Sequence, residues 1–250
     1  MTVEKTFASA IQNHQKNNFK AAEDLYNQIL EIDPNHIKTI FFLGTLSVQT
    51  KNFDRAKQML QKTIQAQPNN VDAYNNLGVV FKEFEEFQKA KDCFEKVIQI
   101  QPKHVDALNN LGNVFKQLNE PQKAINYYQK AIEIEPSYIN AHQNLMDVCE
   151  KTNQITELKD AVSNARTFFK DNSIIKLYEG ILLSRNEKFV EAKNCLKLIL
   201  FEADETNKEI LRVSTLAKCY DRIGNTDKAF NYFKKANLLS QKTKIKNFDK

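Results

Sequence analysis

Apolar residues recur along this chain at spacings of three and four, which places them on one face of an α-helix. The helical segments are short, are separated by polar turns, and return in the same arrangement at a fixed interval. Four prolines mark that interval, because they fall 34 residues apart. This period predicts a repeat protein in which each repeat is a pair of amphipathic helices that buries its apolar face against its neighbours. The prolines are Pro34, Pro68, Pro102 and Pro136.

Alignment on these prolines reveals a conserved spacing of large and small residues within each copy. The best copy carries an aromatic residue, a Leu-Gly pair, a second aromatic, an alanine, a third aromatic and the proline. This pattern resembles the tetratricopeptide repeat. The resemblance implies an all-α fold, a right-handed α-α superhelix (solenoid) of about seven helical hairpins. The residues of the best copy are Tyr74, Leu77, Gly78, Phe81, Ala90, Phe94 and Pro102.

Small residues occupy matching positions on the two helices of each regular repeat. A glycine on the first helix and an alanine on the second are predicted to face each other, so that the two backbones approach closely. This contact would outweigh the helix penalty of glycine, which is about 1 kcal/mol. The pairs are Gly44 with Ala56, Gly78 with Ala90, and Gly112 with Ala124.

Weaker copies of the pattern flank the central ones, so that repeats cover nearly the whole sequence. We predict a single solenoid over residues 1–250, with regular repeats over 3–138 and irregular repeats over 139–206. A last repeat follows over 210–243, after a three-residue insertion, and a basic tail occupies 244–250.

The charge pattern narrows the choice of partners. The net charge is +5, but lysine alternates with aspartate and glutamate along most of the chain, which indicates solvated helix faces rather than a nucleic-acid surface. The most apolar window, residues 40–48, is far shorter than the roughly 20 residues that span a bilayer, so no membrane association is predicted. The cysteines form no paired spacing, and the N-terminus does not resemble a signal peptide. These features predict a cytoplasmic protein.

No constellation of residues suggests catalysis. The sequence contains no Gly-rich phosphate loop, no nucleophile elbow and no zinc-binding histidine pair, so we predict no enzymatic activity, no cofactor and no metal site. His36 and His104 follow a proline at the same repeat position, which predicts that they cap helices. His142 replaces a core aromatic and is predicted to be a packing residue.

The resemblance implies that the first helix of each hairpin lines a concave surface where partners bind. Asparagine recurs there every 34 residues, and its amide can both donate to and accept from a peptide unit. Equivalent helices lie about 10 Å apart and an extended peptide advances about 3.3 Å per residue, so one asparagine would meet about every third residue. The pattern resembles the asparagine ladder of O-linked N-acetylglucosamine transferase; alternatively, asparagine is merely tolerated on an exposed face. The predicted peptide-binding residues are Asp72, Asn75, Asn76, Asp106, Asn109, Asn110, Asn113, Gln143 and Asn144.

The N-terminal end of this surface is apolar. Phe7, Ile11, Phe41 and Phe42 fall on the presumed concave side. Such a patch would anchor an apolar partner or a second copy of the chain, giving weak self-association. Alternatively, the first repeat is irregular and buries these residues itself.

Two stretches resemble a narrower group, the bacterial proteins that join N-terminal tetratricopeptide repeats to a C-terminal sulfotransferase domain. The segment after the last repeat is short for a capping helix and fits a linker to a further domain equally well. The leading hypothesis is therefore a protein-interaction scaffold that binds an extended peptide. The alternatives are the substrate-docking part of a modular sulfotransferase and a self-associating scaffold. The similar stretches are residues 14–26 and 219–249.

Overall fold

The computed structural model describes residues 2–202 and 205–248, with side chains as far as residue 243. This part of the chain forms fourteen α-helices, which pair into seven hairpins and confirm the predicted all-α repeat fold. In chain order the helices are α1 (Val3–Gln15), α2 (Phe19–Ile32), α3 (Ile37–Gln49), α4 (Phe53–Ala66), α5 (Val71–Glu83), α6 (Phe87–Ile100), α7 (Val105–Gln117), α8 (Pro121–Ile134), α9 (Ile139–Lys151), α10 (Ile155–Phe168), α11 (Ser173–Arg185), α12 (Phe189–Lys197), α13 (Thr206–Arg222) and α14 (Thr226–Phe248).

The chain divides into two compact units, Met1–Glu135 and Pro136–Lys250. The first unit contains α1 to α8. In it, each helix packs on the next, and the first helices α3, α5 and α7 also contact one another in succession. The second unit contains α9 to α14, where α9, α11 and α13 make the equivalent contacts. In both units the first helices of successive hairpins therefore share one surface.

In four hairpins the glycine of the first helix lies beneath a large side chain of the second helix. A Cβ built on Gly78 would be 2.6 Å from the ring of Phe94, and one on Gly180 would be 2.5 Å from the side chain of Leu196. A Cβ built on Gly112 would be closer still to the ring of Tyr128. The alanines are fully buried, but the contact that requires glycine is made by the residue one helical turn further on.

Each hairpin closes with the same backbone turn. The second residue after each first helix has a positive φ, and its N–H and the next N–H bond back into the last turn of the helix, as Lys51 and Asn52 do to Val48 and Ser47. This is the Schellman arrangement, which fixes how the chain leaves the helix. The positive-φ residues are Asn17, Lys51, Glu85, Asn119, Asn153, Glu187 and Gly224.

The predicted helix caps at His36 and His104 are confirmed. His36 Nδ1 accepts from the N–H of Thr39, and His104 Nδ1 accepts from the N–H of Ala107 at 3.2 Å. Pro121 begins α8, where its missing donor has no intrahelical partner to lose.

The second unit holds the irregular helix. α12 ends at Lys197 after nine residues, whereas most second helices have fourteen. Ile199 lies beyond this helix but is still buried, while Leu198 and Leu200 are each 85% exposed. The buried Arg212 guanidinium donates to the carbonyl of Leu196 at 3.0 Å and thereby satisfies one helix-end acceptor.

The last helix extends past residue 243, where the final repeat was predicted to end, and continues through Phe248. Residues 249 and 250 of the predicted basic tail lie outside the described residues. Among the helices described, none combines the length and apolar character needed to cross a membrane.

Candidate peptide-binding surface

The shared surface of α3, α5 and α7 carries the predicted asparagines of the first unit. Asn76 donates through Nδ2 to the hydroxyl of Thr45, at 3.1 Å, so these two residues link α5 to α3. Asn76 is half-buried, and its amide orientation is fixed by this bond. The hydrogen bond therefore holds the Asn76 amide in one orientation on this surface.

Two neighbouring asparagines keep unused hydrogen-bonding capacity. Oδ1 of Asn75 is buried and has no hydrogen-bond partner in the described part of the chain. The half-buried Asn110 also makes no side-chain hydrogen bond to a described residue. Because Oδ1 of Asn75 is screened from solvent, an outside partner reaches it only if the side chain turns, and the half-buried Asn110 is the more accessible of the two amides.

The remaining predicted residues of the first unit differ in accessibility. Asn109 is only 6% exposed and presents little surface to a ligand. Asn113 accepts through Oδ1 from the hydroxyl of Tyr128 at 2.9 Å, which leaves its Nδ2 group as a donor. Asp72 and Asp106 are exposed at the start of α5 and α7.

In the second unit, Gln143 and Asn144 lie half-buried on α9. Asn144 already interacts with another part of the protein. The structure therefore places an asparagine and a glutamine at the predicted helical positions of this unit as well.

The four N-terminal apolar residues pack largely on their own unit. The rings of Phe7 and Phe42 meet edge to face with centroids 5.7 Å apart, and Phe42 stacks on Tyr26. Phe7, Ile11 and Phe42 lie against a core cluster that includes Tyr26, and Phe41 is half-buried beside Phe42. All four residues are half-buried, so each packs in part on its own unit and keeps part of its surface exposed.

A pocket of about 330 Å³ opens beside these residues, between α1 and α3. We call it the apolar pocket, since Ile11 and Phe42 form its apolar wall and no lysine, arginine, aspartate or glutamate lines it. Its lining residues are Ile11, His14, Gln15, Asn17, Phe42, Thr45 and Gln49.

His14 fixes the polar wall of the apolar pocket and was not among the residues that the sequence singled out. Its Nε2 is 2.9 Å from Oε1 of Gln49, and its Nδ1 is 3.1 Å from the hydroxyl of Tyr26. Because an amide oxygen only accepts, Nε2 donates to Gln49, and the Tyr26 hydroxyl donates to Nδ1. The Nδ2 group of Gln49 remains as a donor.

A second pocket, also of about 330 Å³, opens between α5 and α7. We call it the charged pocket, because lysines from both helices and glutamates from the hairpin turn line it. Its lining residues are Lys82, Glu83, Glu85, Phe87, Asn113, Lys116 and Gln117.

Two buried cysteines are held in the unreactive thiol form. Burial raises the pKa of Cys93 and of Cys149 to about 12, so neither thiol supplies a thiolate at neutral pH. No group of three or more metal-binding side chains comes together among the described residues.

Family models described as tetratricopeptide repeat match residues 71–104 and 105–138, residues 14–78, and residues 214–243. Together these segments make up more than half of the chain. The chain belongs to the tetratricopeptide-repeat family. No curated protein matches it in sequence.

Several solved structures superpose well on the chain. The MamA protein shares 26% identity with a TM-score of 0.61, over 67% of this chain and 92% of that one. A tetratricopeptide repeat protein from Parabacteroides merdae gives a TM-score of 0.71 at 16% identity, over 95% and 93% of the two chains. The Pseudomonas aeruginosa pilF structure gives 0.66 at 18% identity, over 78% and 88%. The last two likenesses concern the fold alone.

Proposed function

We propose that the chain is a protein-interaction scaffold that binds an extended peptide segment on the surface shared by α3, α5 and α7. The observation that carries the proposal is the unused amide capacity of Asn75 and Asn110 beside the fixed Asn76. A peptide unit offers one donor and one acceptor, and an asparagine amide complements both. Binding through the backbone would hold a segment without requiring one particular side-chain sequence.

The exposed aspartates at the starts of α5 and α7 support the proposal that a peptide binds near these helix ends. Exposed Asp72 and Asp106 lie in the first turns of α5 and α7, where they would accept from backbone N–H groups of the segment. Gln143 and Asn144 of the second unit have the same amide chemistry, and we propose the same kind of contact for them there.

The proposal is tested by selecting peptides from a displayed random library on the full chain and measuring their affinity for variants. Removing both amides in an Asn75→Ala/Asn110→Ala variant is expected to weaken binding about tenfold or more, since each lost hydrogen bond is worth about 0.5–1.5 kcal/mol. A matched control, Asn126→Ala/Asn231→Ala, removes two exposed amides from second helices and should leave affinity unchanged. Equal affinity of both variants would contradict the proposal.

The sulfotransferase-docking alternative rests on the sequence resemblance of residues 14–26 and 219–249 alone. Its test is the mass of the native protein in an immunoblot. The alternative requires a band tens of kDa above 29.0 kDa.

The self-association alternative relied on an exposed N-terminal patch, whereas Phe7, Ile11 and Phe42 pack on their own core. We therefore favour peptide binding. A mass that rises with concentration in sedimentation experiments would instead support self-association.

A further inference from the structure

The apolar pocket and the charged pocket occupy the same place in two different pairs of hairpins. Five lining residues of one pocket correspond to five of the other at a separation of 68 residues, which is two repeats. The correspondence means that the first unit presents two pockets at equivalent positions of the repeat, with different chemistry. The corresponding pairs are His14 and Lys82, Gln15 and Glu83, Asn17 and Glu85, Thr45 and Asn113, and Gln49 and Gln117.

The apolar pocket suits an uncharged side chain. Ile11 and Phe42 supply apolar wall, while a full charge placed there would meet no opposite charge from the lining residues. The hydrogen bonds of His14 hold the polar wall in place. An aliphatic or aromatic side chain would be desolvated there at least cost.

The charged pocket suits a carboxylate. Lys82 and Lys116 reach it from the two neighbouring first helices, and Nδ2 of Asn113 adds a donor because its Oδ1 already accepts from Tyr128. Glu83 and Glu85 lie exposed at the hairpin turn, where water screens their charge. A carboxylate between the helices would therefore meet donors from both walls.

We propose that the two pockets read two side chains of a single extended peptide, an apolar residue and an acidic residue about six positions apart. The proposal rests on the proposed peptide-binding function and gives the partner its chemistry. Two repeats displace equivalent helices by about 20 Å, and an extended chain advances about 3.3 Å per residue, which sets the separation near six. The amides of Asn75 and Asn76 lie on α5, between the helices that form the apolar pocket and α7.

The test uses fluorescently labelled peptides with a neutral polar background, one leucine and one glutamate. The two residues are separated by two, four, six or eight positions, in both orders, and binding to the full chain is measured by anisotropy. Peptides with a separation of six are expected to bind at least tenfold more tightly than those with a separation of two. Affinity that does not depend on separation would overturn the proposal.

Charge reversal tests the acidic assignment. The Lys82→Glu/Lys116→Glu variant should lose preference for the glutamate peptide and gain it for the same peptide with lysine, whereas Lys103→Glu, in an exposed loop, should change neither. A wild-type preference for the lysine peptide would overturn the assignment. If all the peptides bind equally and Asn75→Ala/Asn110→Ala weakens them all, the pocket proposal fails but the proposed function stands. If none of them binds, the pocket proposal fails, and the proposed function is decided by the peptides selected from the random library.

Discussion

The ring of Phe94 lies directly over the backbone of Gly78, so close that a Cβ on the glycine would be 2.6 Å from Cε1 of the ring. The ring is therefore the nearest obstacle to any side chain at this position. The equivalent Gly44 faces the more flexible Leu60, with 3.1 Å to Cγ. The two hairpins should respond differently to the same substitution.

Gly78→Ala is expected to lower the free energy of unfolding by up to about 2 kcal/mol, because overpacking costs about 1–3 kcal/mol and the gain in helix propensity returns about 1 kcal/mol. Gly44→Ala should cost less, since its nearest neighbours, Leu60 and Cβ of Met59, lie at 3.1 Å and need to shift by only a few tenths of an ångström. Urea denaturation followed by circular dichroism measures both. Similar losses in the two variants would contradict the ring contact as the cause.

The left-handed turn residue offers a route to stabilisation. Lys51 has φ 60°, and a left-handed conformation costs a non-glycine residue about 1 kcal/mol, so Lys51→Gly should raise the free energy of unfolding by up to that amount. Lys51→Ala, which keeps the Cβ, is the control and should bring no such gain. The reverse substitution Gly224→Ala, at φ 79° with open space around it, should destabilise through the backbone alone. Thermal unfolding of the three variants measures the effect.

The buried Arg212 joins three elements of the second unit. It bonds twice to Glu209, at 2.7 and 2.8 Å, and once to the carbonyl of Leu196, while Lys235 also donates to Glu209. Burial would raise the pKa of Glu209, but the hydrogen bonds from Arg212 and Lys235 outweigh it and hold the pKa below its ordinary value.

Arg212→Met should destabilise the second unit by about 2–3 kcal/mol, because it leaves a carboxylate and a helix-end carbonyl with fewer partners. The loss should be smaller in an Arg212→Met/Glu209→Gln background, where no carboxylate remains. A double-mutant cycle measured by urea denaturation separates the two contributions. Additive losses would show that the ion pair contributes nothing of its own.

His142 makes the stability of the second unit depend on pH. Its Nε2 donates to the carbonyl of Pro136 at 2.9 Å, whereas its buried Nδ1 has no partner in the described part of the chain. Burial lowers the pKa of His142 below its usual value, and the bond to Pro136 offsets only part of that shift. Below the ordinary histidine pKa, the unfolded chain therefore binds a proton that the folded chain resists.

Stability should consequently fall as the pH drops from 7 to 5, and the fall should be smaller in His142→Phe. Both proteins are unfolded in urea at several pH values, and the difference between the two curves isolates this residue from the other histidines. A difference that does not change with pH would exclude His142 as the source.

The repeat period in the sequence was enough to predict the helices and hairpins. It did not predict the features that depend on how particular side chains pack. The seven hairpins, the prolines that follow four of them and caps such as His104 recur at a fixed spacing, so the sequence alone reveals them. The partner of Gly78, the burial of Asn109 and the early end of α12 depend on which side chain occupies a space, and spacing alone does not show this. The left-handed turn was within reach, since asparagine or glycine occupies its register in Asn17, Asn119, Asn153 and Gly224.

The helices that pack together within each unit are adjacent in chain order or only two apart. Closing such contacts requires short loops, whose entropy cost is small, so the contact order of each unit is low and rapid folding is expected. A hairpin near the N-terminus can acquire its native neighbours while later residues are still being synthesised. The order of assembly is then set by the local stability of each hairpin and its neighbour, not by the arrival of a distant segment.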